Sequence, residues 1–341
     1  MCFYWREQNQ GRTELTVDEV DRFSRSMGRL FQIQFGGGEP FLRSDFEEIV
    51  LRIAHNCRPS IITIPTNASM PDVMVPTVEN LCRKLPGTMV RMVLSVDAVG
   101  EEHDSIRGVP GIFDLAMTTF RGLRLLTEKY DNLTVNVMSV ISYFNLDTIE
   151  ETIRYFREQV RPDHHGIMLT RGDPREDRAA DVPIEQYERV VRELLRERPD
   201  EARRYPLDRL GNVLGKELYK VVAATYREQR QVIPCVAGQK QIMVDDEGTV
   251  YSCEMLTPFL KRHPTDALDG PEMGRLREFD YSIPDVLDSP QARSVRRFIA
   301  EGRCYCTSEC YLPSSLIYNP AMYPRLAWAS IRQLCGKSPS V

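Results

Sequence analysis

An α/β fold built on a parallel sheet is what the sequence predicts, and three observations carry that prediction. Strand-like and helix-like segments alternate five times over the first half of the chain, with short turns between them. The strand-like runs are rich in Val, Ile and Met, which calls for a sheet buried on both faces, as in an open α/β barrel or a doubly wound sheet. Cys235, Cys253, Cys304, Cys306 and Cys310 gather in the last third, marking a small separate module there.

The elements follow in order. Val17, Val20, Phe23 and Met27 share one face of a predicted helix at 17–30, which feeds a strand at 31–35 ending at Gly36. Phe46, Ile49, Val50 and Ile53 form the apolar stripe of a helix at 45–55, followed by a strand at 60–64. The same unit recurs as helix 75–84 and strand 90–96, helix 112–130 and strand 133–142, and helix 146–160 and strand 166–170. After Arg171 a charge-rich stretch leads to helices at 184–197 and 214–229, read as a helical bridge. Beyond residue 233, Asp245, Asp246, Glu247 and Gly248 form the turn of a predicted hairpin at 244–251.

The chain has 341 residues and a formal net charge of -5, enough length for a full core and no general attraction to phosphate backbones, so nucleic acid is not an expected partner. No apolar run of about 18 residues and no signal-peptide pattern is present, so no transmembrane segment is read and a cytoplasmic location is expected. In a reducing compartment, clustered thiols point to metal ligands or catalysts rather than disulfides.

The sharpest local pattern is Gly36, Gly37, Gly38, Glu39 and Pro40 at the end of the first predicted strand. Glycines let a backbone approach a ligand closely, and an acidic group at a strand end can bind an ammonium; a plain glycine turn is the alternative. Thr66 and Asn67 follow the next strand, and Ser95, Val96 and Asp97, then His103, Asp104, Arg107 and Gly108, follow the one after. Strand ends are the usual ligand positions in parallel α/β sheets, with helix capping as the alternative role. Taken together, these segments resemble the radical S-adenosylmethionine (SAM) enzymes. The resemblance implies that Gly37, Gly38 and Glu39 hold the methionyl ammonium of SAM, that Ser95 meets its ribose, and that Asp97 belongs to the same cofactor site.

The same family holds a [4Fe-4S] cluster with three cysteines spaced C-x3-C-x2-C, leaving one iron open to SAM. Here only Cys2 stands in such a setting, with Met1 in the hydrophobic slot before it and Phe3, Tyr4 and Trp5 after it. The expectation is that an internal Met was taken as the start, and that the first strand and two further cysteines lie upstream. Cys235, twelve residues, Gly248, four residues and Cys253 resemble the opening of the SPASM and twitch extensions, which carry auxiliary clusters. That resemblance implies an auxiliary [4Fe-4S] cluster on Cys235, Cys253, Cys306 and Cys310, with Cys304 an alternative ligand; a structural zinc site is the competing reading.

The expected architecture is thus a partial parallel (β/α)6 barrel of the radical SAM type at 1–182, its first strand missing or incomplete, a bridge at 183–231, and a small α+β cysteine-rich domain at 232–341. The implied activity is reductive cleavage of SAM to a 5′-deoxyadenosyl radical that takes hydrogen from a small-molecule or peptide substrate, with flavodoxin or ferredoxin as reductant. Peptides, proteins, sugars and lipid metabolites all remain open as substrates. A non-catalytic metal-binding or scaffold protein with a degenerate SAM site is the alternative. Cys57, Cys82 and Cys335 read as ordinary buried or partly buried thiols, His164 and His165 as solvated surface with a substrate-facing position as the alternative, and Arg171 as either a carboxylate grip or a surface ion pair. The final segment, with Tyr318, Tyr323, Trp328 and Ile331, has an apolar face expected to dock on its own domain, with contact to a membrane surface as the alternative.

Overall fold

The computed structural model describes residues 13–196, 208–324 and 327–328. Helix α1 (Val17–Ser26) starts at a capping box in which Thr16 and Glu19 satisfy each other's backbone donors. It leads to β1 (Gln32–Gln34), a short 3-10 turn (Pro40–Leu42) and α2 (Phe46–Cys57). There follow β2 (Ile61–Thr66), α3 (Pro71–Lys84), β3 (Met89–Ser95), α4 (Glu101–Arg107), α5 (Ile112–Leu126) and β4 (Leu133–Ile141). Helix α6 (Ile149–Tyr155) ends in a π-type turn (Phe156–Val160) before β5 (His165–Leu169).

These five strands form one sheet in sequential order, every neighbouring pair parallel. The sheet curls into a half-barrel with helices outside, so the α/β barrel is the correct one of the two architectures the periodicity allowed. The expectation of a sheet buried on both faces fails at β3, where Val90, Met92 and Leu94 are fully buried while Met89, Arg91, Val93 and Ser95 are only half-buried. The buried set packs with Met74, Val78, Phe113, Phe120 and Leu123 from α3 and α5. On the opposite face the register aligns Gln34, Thr63, Arg91 and Thr134 across four strands, a polar row along the concave side. Strand β1 is shorter than the expected 31–35 run, and Phe31 is exposed because it lies at the sheet edge.

Helices α7 (Ile184–Leu194) and α8 (Asp208–Glu228) correspond to the predicted bridge. Their Tyr187, Val190, Tyr219 and Val222 pack against Ile167 and Leu169 of β5, continuing the outer helical layer. The last third holds β6 (Met243–Val244), β7 (Thr249–Tyr251), α9 (Leu256–Arg262), β8 (Glu272–Arg275), α10 (Ile283–Asp288), α11 (Pro290–Ala300) and α12 (Leu312–Ile317). Strands β6 and β7 are the predicted hairpin, with Gly248 at φ +88° in its turn, and β8 adds a third antiparallel strand.

This last third shares an apolar core with the start of the chain. Its Val250, Met273, Val295 and Phe298 share one core with Leu15, Val20 and Phe23 around α1 and with Ile49, Ile53 and Cys57 of α2. Polar contacts close the same seam: Leu15 N–H donates to the Asp246 carbonyl at 2.6 Å, and Glu19 accepts from Arg277 Nε at 2.8 Å and Tyr281 Oη at 2.6 Å. The final segment also differs from expectation, since Tyr318, Tyr323 and Trp328 are at least half exposed, while Ile331 lies outside the described residues. Among the described residues no helix is long and apolar enough to cross a membrane.

Candidate active site

The glycine loop emerges from the C-terminal end of β1 and bends at Gly37, whose φ of +121° suits glycine. Glu39, 9 % exposed, caps the following 3-10 turn and binds the loop to the end of β2. Its carboxylate accepts the Thr66 hydroxyl at 2.8 Å, the Asn67 N–H at 2.7 Å and the Phe41 N–H at 3.4 Å. Burial pushes this carboxyl above its ordinary value, and the three donors only partly offset that. A carboxylate offers about four acceptor sites, so capacity remains for one more donor.

Ser95 ends β3 beside Met138 of β4, at the same end of the sheet as Glu39. Asp97 is two residues further and has no exposed surface. Its carboxylate accepts the Val140 N–H at 2.8 Å and pairs with Arg107 Nη2 at 2.7 Å, and its carbonyl accepts from Asn145 at 2.8 Å. Through these partners Asp97 fixes the loop that follows Ser95. A short local motif cannot distinguish this role from ligand contact, because both place an Asp at a strand end.

His103 completes this buried corner. Its Nδ1 accepts the Asp97 N–H at 3.1 Å, which requires the neutral ring, and burial pulls its pKa from 6.5 down to about 4. The folded state thus binds fewer protons than the unfolded one between these values. Stability from this group is complete above pH 6.5 and is lost as pH falls toward 4, by roughly 3 kcal/mol in all. Urea unfolding at pH 7 and pH 5 should show a larger acid loss in the parent than in His103→Gln; equal losses would contradict the assignment.

His165 is another correction: it opens β5 and is buried, with Nε2 2.9 Å from Ser139 Oγ and its ring against Phe156. The surface reading failed because adjacent histidines give no sign of which one enters the strand. Arg171, read as a carboxylate grip or a surface pair, is 8 % exposed and pairs with two carboxylates of the last third, Glu254 at 2.9 Å and Glu309 at 3.1 Å. Nothing in the sequence joined these three residues, which are far apart in the chain.

The cysteines divide in two. Cys235, Cys253, Cys304 and Cys306 line one cavity with Met255 and Phe259, about 490 Å³ including its opening to solvent. Burial pushes the thiols of Cys253 and Cys304 up to about 12, and those of Cys235 and Cys306 rise for the same reason. Neighbouring thiols add to the rise at Cys253, Cys304 and Cys306, with Cys235 acting on all three. Cys310 is not on this cavity; its Sγ lies 3.5 Å from Arg171 Nη2 and 3.8 Å from Met168 Sδ. The cavity lining thus includes Cys304 and not Cys310. Among the described residues no three His, Cys, Asp or Glu side chains already stand as a metal-holding group. Cys57 and Cys82 are buried as expected, while Cys2 and Cys335 lie outside the described residues.

Residues 1–156 match the family model described as the Radical SAM superfamily. The chain is 25 % identical over 254 residues to the AdoMet-dependent heme synthase of Methanosarcina barkeri (strain Fusaro / DSM 804), covering 71 % of this chain and 69 % of that one. It is 27 % identical over 162 residues to a probable GTP 3',8-cyclase of Pyrococcus abyssi (strain GE5 / Orsay), covering 45 % of this chain and 48 % of the relative. Among solved structures, native anSMEcpe with bound AdoMet and a peptide matches 97 % of this chain and 94 % of its own, at TM-score 0.56 and 14 % identity. Streptococcus suis SuiB matches 84 % of this chain and 63 % of its own, at TM-score 0.54 and 13 % identity. These last two likenesses concern the fold.

Proposed function

We propose that this chain is a radical SAM enzyme that cleaves SAM at the mouth of the half-barrel and carries an auxiliary iron–sulfur cluster in its last third. The observation that carries the reading is Glu39, a buried carboxylate that ties the glycine loop to Thr66 and Asn67. In this reading the backbone of Gly37 and Gly38 and the remaining acceptor site of Glu39 hold the methionyl ammonium. Ser95 meets the ribose, and Asp97, Arg107 and His103 keep the Ser95 loop rigid. Cys2 would supply one of three thiolates to the SAM-binding [4Fe-4S] cluster. When bound, that cluster supplies the electron that splits SAM into methionine and a 5′-deoxyadenosyl radical.

Cys235, Cys253, Cys304 and Cys306, which line one cavity, would be the ligands of the auxiliary [4Fe-4S] cluster, whose binding would have to bring them together and deprotonate thiols that burial keeps protonated. Gln34, Thr63, Arg91 and Thr134 give the concave face hydrogen-bonding groups, which supports a polar small-molecule or peptide substrate. The reductant would be a flavodoxin or ferredoxin. Oxygen-free reconstitution with dithionite and SAM should yield 5′-deoxyadenosine once the chain includes two further thiols at the C-x3-C-x2-C spacing. Absence of such codons upstream, or of product from the extended protein, would leave the non-catalytic alternative standing.

A further inference from the structure

We propose that the concave face of the half-barrel carries an anion-binding site, made by Arg91 with Thr63 and Thr134 on either side, that seats a carboxylate or phosphate group of the substrate. That the anion belongs to a substrate rests on the preceding reading; the site itself does not. Arg91 is the one Asp, Glu, Lys or Arg in the five strands, so no acid of the sheet competes with an incoming anion. It stands on the middle strand, β3, level with Thr63 of β2 and Thr134 of β4. Val90 and Met92 on either side of it pack under the helices, as do Ile62 and Ile64 around Thr63 and Leu133 and Val135 around Thr134. Strand alternation therefore turns all three polar side chains to the concave side.

Both threonines are set to donate. Thr63 Oγ1 accepts the Gln32 side-chain amide at 3.2 Å, and Thr134 Oγ1 accepts that of Asn136 at 3.3 Å. Neither hydroxyl hydrogen meets an acceptor among the described residues, although Thr63 is 6 % and Thr134 8 % exposed. A buried donor without an acceptor is costly, and a ligand oxygen would remove that cost. A guanidinium between two hydroxyl donors is the complement of an oxyanion. Arg91 is half-buried and also interacts within the protein, and five N–H donors allow it to serve a ligand at the same time. Ser95 lies four residues further along β3, roughly 13 Å of strand away. The anion is thus too deep to be the carboxylate of a SAM held at the strand ends, and a substrate that spans the interval presents its other end to the radical.

The test reads Arg91 itself in the full chain. Phenylglyoxal modifies arginine side chains, and mass spectrometry of the peptide carrying Arg91 gives its rate in the presence of inorganic phosphate, of glutarate or of the neutral glutaramide. At least one of the two anions should slow modification of Arg91 fivefold or more in a saturable way, while glutaramide does not and the exposed Arg52 keeps its rate in every arm. The more effective anion assigns the substrate group as phosphate or carboxylate. Thr63→Val and Thr134→Val, which remove the hydroxyl at nearly constant shape, should each raise the half-protecting concentration at least threefold, and Thr63→Ser and Thr134→Ser should restore it. Equal Arg91 rates with and without both anions, or protection that ignores both valine changes, would overturn the proposal; a valine variant that fails to fold leaves the decision to the parent arms. Failed protection removes the anion site and leaves SAM cleavage standing, whereas protection without 5′-deoxyadenosine from the extended protein keeps the site and removes the reaction.

Discussion

Replacing Glu39 with alanine should lower SAM affinity by at least about a hundredfold, equivalent to ~2.7 kcal/mol. The carboxylate accepts three donors in a nearly dry setting, from Thr66, Asn67 and Phe41. Alanine leaves those donors without an acceptor, at about 1–3 kcal/mol for each that finds no water. The glycine loop then loses its attachment to the end of β2, and the ammonium loses its anionic partner. The rest of the half-barrel core does not involve this side chain, so the fold should persist. Glu39→Gln should fall between, because its amide keeps one acceptor oxygen but sets an N–H group against donors. Equilibrium dialysis with labelled SAM reads the effect, and affinity within threefold of the parent in the alanine variant would remove Glu39 from the site.

The second large effect distinguishes two cysteines of one short segment. Cys304→Ser should abolish the iron and sulfide bound by the last third, whereas Cys310→Ser should leave them in place. Cys304 lines the cavity with Cys235, Cys253 and Cys306, while Cys310 turns toward Arg171 and Met168. Serine is nearly isosteric but a poor ligand for iron at neutral pH, so loss of metal would report ligation and not packing. Iron and sulfide are to be measured after oxygen-free reconstitution, with zinc measured alongside. Zinc without sulfide would replace the cluster with a structural metal, and iron loss in Cys310→Ser alone would restore the ligand set that sequence spacing favoured.

Much of the framework was legible because periodicity reports burial directly. The stripes of α1 and α2 and the apolar runs of β2 to β5 named their own elements, and Gly248 marked its hairpin turn. What the pattern could not report was which face of β3 lies open, because Val93 and Met89 are as apolar as the residues that pack beneath the helices. Long-range pairings were equally hidden: α1 showed an apolar face but not that the face meets Val250 and Val295 as well as α2. The strand-end positions of Glu39 and Ser95 were readable from the sequence. The different roles of Asp97 and Arg171 depend on Val140, Glu254 and Glu309, which no local spacing connects to them.

The core joining α1 and α2 to the closing segments has a bearing on how the polypeptide matures. A helix made early in synthesis must wait for some of its partners until more than two hundred residues later, so part of its apolar stripe stays uncovered while the ribosome is still working. Folding of the last third and completion of the first third thereby become one cooperative event. An excised tail fragment would lack Val20, Phe23, Ile49 and Ile53 as its floor, and cutting the tail away would strand those same side chains in water.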